Sequence, residues 1–141
     1  MTERKVKPRH TNYGDGPISD WHRRALGYDM PAVDVDKLLI EYESALPAAV
    51  IDFKFWNVKR LEPFSASNKA LRELCAARSY ELPFFIVKYA PDCASFLTYS
   101  MNPAARKFVG GSPGSYAAMN SQEFIQFQQE LREFQKQRRA S

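Results

Sequence analysis

Asp52 and Lys54 are charged residues inside an otherwise apolar run, Ala48-Ala49-Val50-Ile51-Asp52-Phe53-Lys54-Phe55-Trp56. Side chains of a strand alternate between its two faces, so this carboxylate and this ammonium group are expected on one face. Burying both charges would be costly without a partner or a metal ion. A divalent cation beside the pair is one way to compensate these charges. If that face is open to solvent, the two residues are ordinary surface charges.

A second acidic pair precedes this run. The segment Ala32–Tyr42 (AVDVDKLLIEY) alternates and is rich in branched residues, which predicts a strand with Asp34 and Asp36 on one face. A second strand is predicted over Ala48–Val58, after a turn at Ser44–Pro47. Two strands joined so closely are expected to form an antiparallel hairpin. Whether the two sets of charges meet depends on the hairpin register, which the sequence leaves open.

A helix is expected before the hairpin. Residues 1 to about 17 carry charges without apolar periodicity and predict a flexible basic arm. Ser19 is a suitable N-cap, Trp21 and Ala25 share one face, and Gly27 is a stop signal. A short helix is therefore predicted between the arm and the first strand.

After the hairpin, helical spacing of apolar residues predicts a crossover helix over Ser67–Arg78. The apolar run Pro83–Tyr89 predicts a strand covered on both faces, and Ser95–Tyr99 predicts a further strand. The expected fold class is α/β (α+β), with a mixed sheet in a single domain that spans residues 18–141.

The C-terminal part is predicted to end in a long helix. Residues 102–119 are rich in glycine and proline and are expected to be irregular, apart from a helical turn at Ala104–Val109. Asn120 and Glu123 resemble a capping box, in which Ser or Thr usually stands first. An apolar stripe follows on one helix face: Phe124, Phe127, Leu131 and Phe134. This face is expected to pack on the body of the protein or on a partner.

The charge distribution is uneven along these 141 residues of net charge +4. Four basic residues and one acidic residue lie within residues 1–10, and the same numbers lie within residues 132–141, which leaves the middle slightly acidic. Basic ends on an acidic body suit a protein that binds phosphates and holds a cation at its centre. Basic tails are equally common where they serve only solubility.

Other classes of site find little support. Cys75 and Cys93 have no CxxC spacing and are interpreted as reduced structural thiols. With His10 and His22 as the only histidines, a structural zinc site is not expected. Residues 110–114 lack the lysine of a phosphate-binding loop. No apolar run is long enough for a membrane span or a signal peptide, so a soluble, cytoplasmic protein without membrane partners is expected.

The order of elements and the acidic motif resemble the PD-(D/E)XK nuclease superfamily, which includes restriction endonucleases and Holliday-junction resolvases. Val35-Asp36 stands where that family has its first metal-binding acid, and Asp52-Phe53-Lys54 stands where it has (D/E)xK. The resemblance covers roughly residues 18 to 100. The proline of the PD dipeptide is absent, and Asp34 lies on the same face as Asp36, which we prefer because its separation from Asp52 suits two strands and a tight turn.

The resemblance implies a restriction-endonuclease-like core and metal-dependent hydrolysis of phosphodiester bonds in DNA. Asp36, Asp52 and the backbone carbonyl of Phe53 would hold Mg²⁺, with Mn²⁺ as a substitute. Lys54 would orient the attacking water or stabilise the transition state. An endonuclease or phosphodiesterase activity is the expected result.

The resemblance also suggests an additional metal ligand and residues that would contact nucleic acid. Many members place a glutamate in the first helix, where this chain has Asp20 as a candidate additional metal ligand, with His22 beside it. Arg23 and His22 on that helix, and Lys69 and Arg72 at the start of the crossover helix, are candidate nucleic-acid contacts. The corresponding alternative is a solvated helix face.

Two other interpretations remain open. The chain could be a non-catalytic factor of a phage or mobile element that binds nucleic acid or protein on the same scaffold, as the missing proline and helix glutamate suggest. The stripe from Phe124 to Phe134 could also support a homo-oligomer through the C-terminal helix. A homo-oligomer is compatible both with a nuclease and with a non-catalytic binding factor.

Overall fold

The computed structural model describes residues 36–41, 43–58, 61, 65–77, 79–110 and 116–140, together with positions 17, 21, 24 and 25. The backbone forms two compact units, Met1–Asp34 and Val35–Ser141, and each is described by itself. In the first unit the four described positions are helical, as predicted around Trp21 and Ala25. The predicted cap at Ser19, the stop at Gly27 and, apart from Pro17, the predicted arm lie outside the described residues.

The second unit is built on a five-stranded mixed sheet whose spatial order follows the chain. Its strands are β1 (Lys37–Glu41), β2 (Leu46–Phe55), β3 (Phe84–Tyr89), β4 (Ser95–Ser100) and β5 (Tyr116–Asn120). Its helices are α1 (Ala66–Ala76), α2 (Pro103–Arg106) and α3 (Ser121–Ala140). Neighbouring strands are antiparallel except β2 and β3, which are parallel. The predicted α/β class, the hairpin and the mixed sheet are confirmed.

Helix α1 makes the crossover that a parallel β2–β3 pair requires. Its N-cap is Ser65, whose Oγ accepts a hydrogen bond from the backbone N–H of Asn68 at 3.2 Å. Leu71 and Cys75 are buried against β2 and β3, where they pack with Phe84 and other apolar side chains. The crossover helix predicted over residues 67–78 is therefore confirmed, although it begins one residue earlier and ends two residues earlier.

Helix α3 covers the opposite face of the sheet. Asn120 and Glu123 form the predicted capping box, because each side chain accepts the other's backbone N–H, at 2.8 and 3.0 Å. Phe127 packs edge-to-face on Phe85 of β3, with ring centroids 4.9 Å apart. The apolar stripe thus packs on the chain's own sheet, and a homo-oligomer through the C-terminal helix stays a prediction.

Three predicted boundaries in and around the hairpin are wrong. Asp36 lies just before β1, which begins at Lys37, and β2 ends at Phe55 in a turn closed by the Val58 N–H on the Phe55 carbonyl, 3.0 Å away. Pro47 lies within β2 rather than in the turn. The register shifts by one residue between Leu39 and Ile40 of β1, and such an irregularity tolerates a proline that lacks a donor.

The region predicted to be irregular contains a strand. Residues 116–120 form β5 and pair with β4, although alanine and asparagine are weak strand formers. Pairing with the free edge of β4 and partial burial of Ala117 and Met119 outweigh that local preference. The predicted helical turn is observed as α2, shortened to Pro103–Arg106 and capped by Asn102.

Glu41 organises the turn between β1 and β2. Its buried carboxylate accepts hydrogen bonds from the Ser44 hydroxyl at 2.6 Å, the Ser44 N–H at 2.8 Å and the Glu43 N–H at 3.1 Å. Ala45 has a φ of 56°, a left-handed conformation that an alanine adopts at a cost. The hydrogen bond from the Ser44 hydroxyl is the main reason that the pKa of Glu41 lies below its usual value.

We expect Glu41→Gln to lower the Tm at pH 7 and to make little difference in acid. A carboxyl whose pKa is lowered by folding stabilises the fold above its unfolded pKa, and this contribution disappears as the pH falls through the folded pKa. Thermal melts from pH 3 to 8 measure the difference in Tm between wild type and Glu41→Gln. Glu43→Gln is the matched control in the same turn, since its exposed ion pair with Lys136 contributes little. A Tm difference that stays constant with pH contradicts the prediction.

No helix in the described part of the chain combines the length and the apolar character that crossing a membrane requires.

Candidate active site

The hairpin register brings the predicted acids together. Lys37 pairs with Ile51 across the hairpin, so continuing the register by one residue sets Asp36 opposite Asp52. The Phe53 N–H donates to Asp36 Oδ2 at 2.9 Å, which fixes this carboxylate beside the end of β1. The competing candidate, Asp34, lies outside the described residues.

Asp52 and Lys54 lie on the sheet face that carries α1. Val50 of the same face packs with Leu71 and Cys75 of α1. From buried Val50 the exposure increases to partly buried Asp52 and Lys54 toward the end of the strand. Lys54 Nζ is 3.2 Å from Asp52 Oδ2, and the side-chain exposures are 42% for Lys54 and 14% for Asp52. The ammonium therefore reaches solvent, whereas most of the aspartate is shielded from it.

The surroundings of Asp52 disfavour its charge. Burial, and after it a hydrogen bond with the Asp36 carboxyl, raise the pKa of Asp52 to about 6, although Lys54 opposes the shift. The two carboxyls are thus close enough for a proton to bridge them. A divalent cation between them would remove the same repulsion.

Oxygen donors of two kinds meet at this point. The N–H and C=O of a strand residue leave on the same edge, so the Phe53 carbonyl faces the side on which Asp36 lies. Two carboxylates and a carbonyl are hard ligands that fit Mg²⁺ or Mn²⁺, with water and substrate oxygens completing the shell. Within the described ranges, no three His, Cys, Asp or Glu side chains form a metal-binding group. Asp20, the predicted additional ligand, lies outside those ranges.

The predicted nucleic-acid contacts divide into two groups. Lys69 is exposed in the first half of α1. Arg72 Nε donates to the Met101 carbonyl at 2.8 Å, which fastens α1 to the end of β4, and burial lowers the pKa of Arg72. Arg23 and His22 lie outside the described residues. Contact of any of the four with nucleic acid stays a prediction.

Two neighbours of the site were not predicted. Lys88 of β3 pairs in register with Lys54 and so lies beside it on the same face. Its signal in the sequence is the same as that of Asp52 and Lys54, because it is the one charge in an apolar strand. Trp56, two residues beyond Lys54, is 56% exposed and is not part of the core.

Comparison with protein-family models, curated proteins and solved structures gives no match to this chain. The chemistry of the site is therefore inferred from its own residues. Two acids and a carbonyl can hold a hard cation, and two lysines next to them can bind an anionic oxygen.

Proposed function

We propose that this chain is a metal-dependent nuclease of the PD-(D/E)XK type that hydrolyses phosphodiester bonds in DNA. The observation that supports it most is the convergence of Asp52 and Lys54 of β2 with Asp36, which directly precedes β1, and the three meet only in this hairpin register. An exposed pair of surface charges would explain Asp52 and Lys54 alone, but not the second carboxyl.

The order of elements supports the same proposal. An antiparallel hairpin carries both acids, a crossover helix follows, and the next strand returns parallel to the acidic one. This arrangement fits the restriction-endonuclease-like core that the sequence resembles. The acidic motif lies on β2, an interior strand with β1 on one side and β3 on the other.

Each residue has a distinct part in the proposed reaction. Asp36, Asp52 and the Phe53 carbonyl would hold Mg²⁺. When bound, the cation would lower the pKa of a water molecule and offset negative charge that develops on the phosphate. Lys54 would donate a hydrogen bond to the attacking water or to a phosphate oxygen. Lys88 beside it would bind a second phosphate oxygen or the adjoining phosphate.

Nicking assays on purified protein test the proposal. Supercoiled plasmid, branched DNA and single-stranded DNA are incubated with Mg²⁺, Mn²⁺ or EDTA, and we expect metal-dependent cleavage of at least one substrate. Asp52→Ala and Asp36→Ala should each lower the rate by about a hundredfold or more, as loss of charge stabilisation does in other active sites. Glu133→Ala is the matched control, because this exposed acid lies on the helix of the opposite face.

Cleavage that is equal in wild type and Asp52→Ala would show a contaminating nuclease and contradict the proposal. Salt-sensitive DNA binding without cleavage of any substrate, and without Mn²⁺ affinity by calorimetry, would instead indicate the non-catalytic binding factor. Wild type and the same variants therefore distinguish a nuclease from a non-catalytic binding factor.

A further inference from the structure

Trp56 is an exposed tryptophan held at the edge of the proposed active site. The residue is 56% exposed, and the hydrogen bond from the Val58 N–H to the Phe55 carbonyl makes Trp56 and Asn57 the central residues of a turn. The turn directly follows β2, so Trp56 lies two residues beyond Lys54. At about 3.3 Å per strand residue, the two Cα atoms are roughly 7 Å apart.

Neighbouring aromatic rings pack against one another at this turn. The Phe55 ring meets Trp56 at a centroid distance of 6.2 Å and meets Tyr89 edge-to-face at 5.5 Å. Phe55 is itself 40% exposed. Packing against β3 therefore limits the movement of the turn, while the indole stays accessible to solvent.

Two lysines lie on the strands next to this turn. Lys54 and Lys88 are register partners on adjacent strands, which run about 4.8 Å apart, so their side chains leave the same face of the sheet at neighbouring positions. Asp52 offsets part of the Lys54 charge, at 3.2 Å. An exposed aromatic ring next to paired lysines is the combination that binds single-stranded nucleic acid, with the bases on the ring and the phosphates on the cations.

We propose that Trp56 stacks on an unpaired base next to the phosphate that Lys54 and Lys88 contact, so that DNA with a single-stranded segment is the preferred substrate class. This proposal rests on the proposed function, whose site it uses. In a duplex both faces of an internal base are covered by its neighbours, and an indole gains a stacking partner only where a base is unpaired. A turn that holds one ring at the end of the site suits that geometry.

Binding measured without divalent metal tests this proposal apart from catalysis. A fluorescein-labelled single-stranded oligonucleotide and its duplex are titrated in EDTA at low salt and followed by anisotropy. Trp56→Ala should weaken single-strand binding about tenfold, the usual effect of losing one stacking ring, and leave duplex binding nearly unchanged. Trp56→Phe should retain most of the affinity. Tyr116→Ala is the matched control, an aromatic of similar exposure on the far edge strand.

Fluorescence provides an independent readout, because the chain has two tryptophans and replacing Trp21 leaves Trp56 as the single emitter. In a Trp21→Phe background, single-stranded DNA should quench Trp56 emission saturably. Equal losses on both DNAs, unchanged single-strand affinity in Trp56→Ala, or absent quenching would each overturn the proposal. Those outcomes leave metal-dependent, Asp52-dependent cleavage intact, whereas failure of the nuclease proposal shows in cleavage and metal binding.

Discussion

Asp52→Asn is expected to abolish cleavage and also to make the metal-free protein more stable at neutral pH. Folding raises the pKa of Asp52 from 3.8 to about 6, so the charged form destabilises the folded state. An asparagine amide can donate to the Asp36 carboxylate, as the protonated acid would, and it carries no charge to bury. We expect a gain of about 1–2 kcal/mol, after allowing for screening by solvent and by Lys54.

The pH dependence of this gain has a definite sign. A carboxyl with a raised folded pKa contributes fully below its unfolded pKa and loses that contribution as the pH rises toward 6. Thermal melts in EDTA should therefore give similar Tm values for wild type and Asp52→Asn near pH 4 and a higher Tm for the variant at pH 7.5. Asp92→Asn, in the exposed β3–β4 turn, is the control. A variant that is less stable at pH 7.5 would contradict the prediction.

Asn102→Ala is expected to cause the largest loss of stability, about 3 kcal/mol. The side chain is buried, and its Oδ1 accepts from the N–H groups of Phe84 at 3.1 Å and Ala105 at 3.0 Å, while Nδ2 donates to the Leu82 carbonyl at 2.7 Å. Alanine would leave these three backbone groups without this partner, and each such loss costs about 1–3 kcal/mol before relaxation. The Tm should fall by roughly 10 °C for a domain of this size.

Ser100→Ala is the matched control for Asn102→Ala. Ser100 lies two residues earlier and is fully buried, and its Oγ has no hydrogen-bond partner among the described residues. Removing that hydroxyl should leave the Tm unchanged or raise it slightly. Denaturant melts of both variants, with equal m-values, would attribute the difference to the hydrogen bonds. A comparable loss in both variants would attribute it to packing alone.

Much of the fold was predictable because strong local patterns agree with the tertiary structure. The branched run of β2, the apolar run of β3 and the stripe of α3 each bury one or two faces, so hydrophobic period and burial coincide. The sequence of β5 has no such pattern. Its strand exists because β4 offers a free edge, and a partner so distant in sequence leaves no local trace.

The site was predictable as residue types but not as an arrangement. Alternation alone set Asp52 and Lys54 on one face, which the 3.2 Å contact agrees with. The approach of Asp36 depends on a register that is set by the turn at Glu41 and by the irregularity after Leu39. Lys88 was not predicted as a site residue, because its position beside Lys54 follows from the parallel pairing of β3 with β2.

The register shift in the hairpin also bears on how relatives of this chain would be recognised. Leu39 pairs with Ala49 and Ile40 with Pro47, so β2 contains one residue more than β1 requires between the turn and the acids. A homologous hairpin without that extra residue would bring the same two acids together with one residue fewer between them. During divergence the interval can drift by one position while the geometry is kept. A search pattern for remote relatives should therefore fix the alternation around each acid and let the interval between them vary.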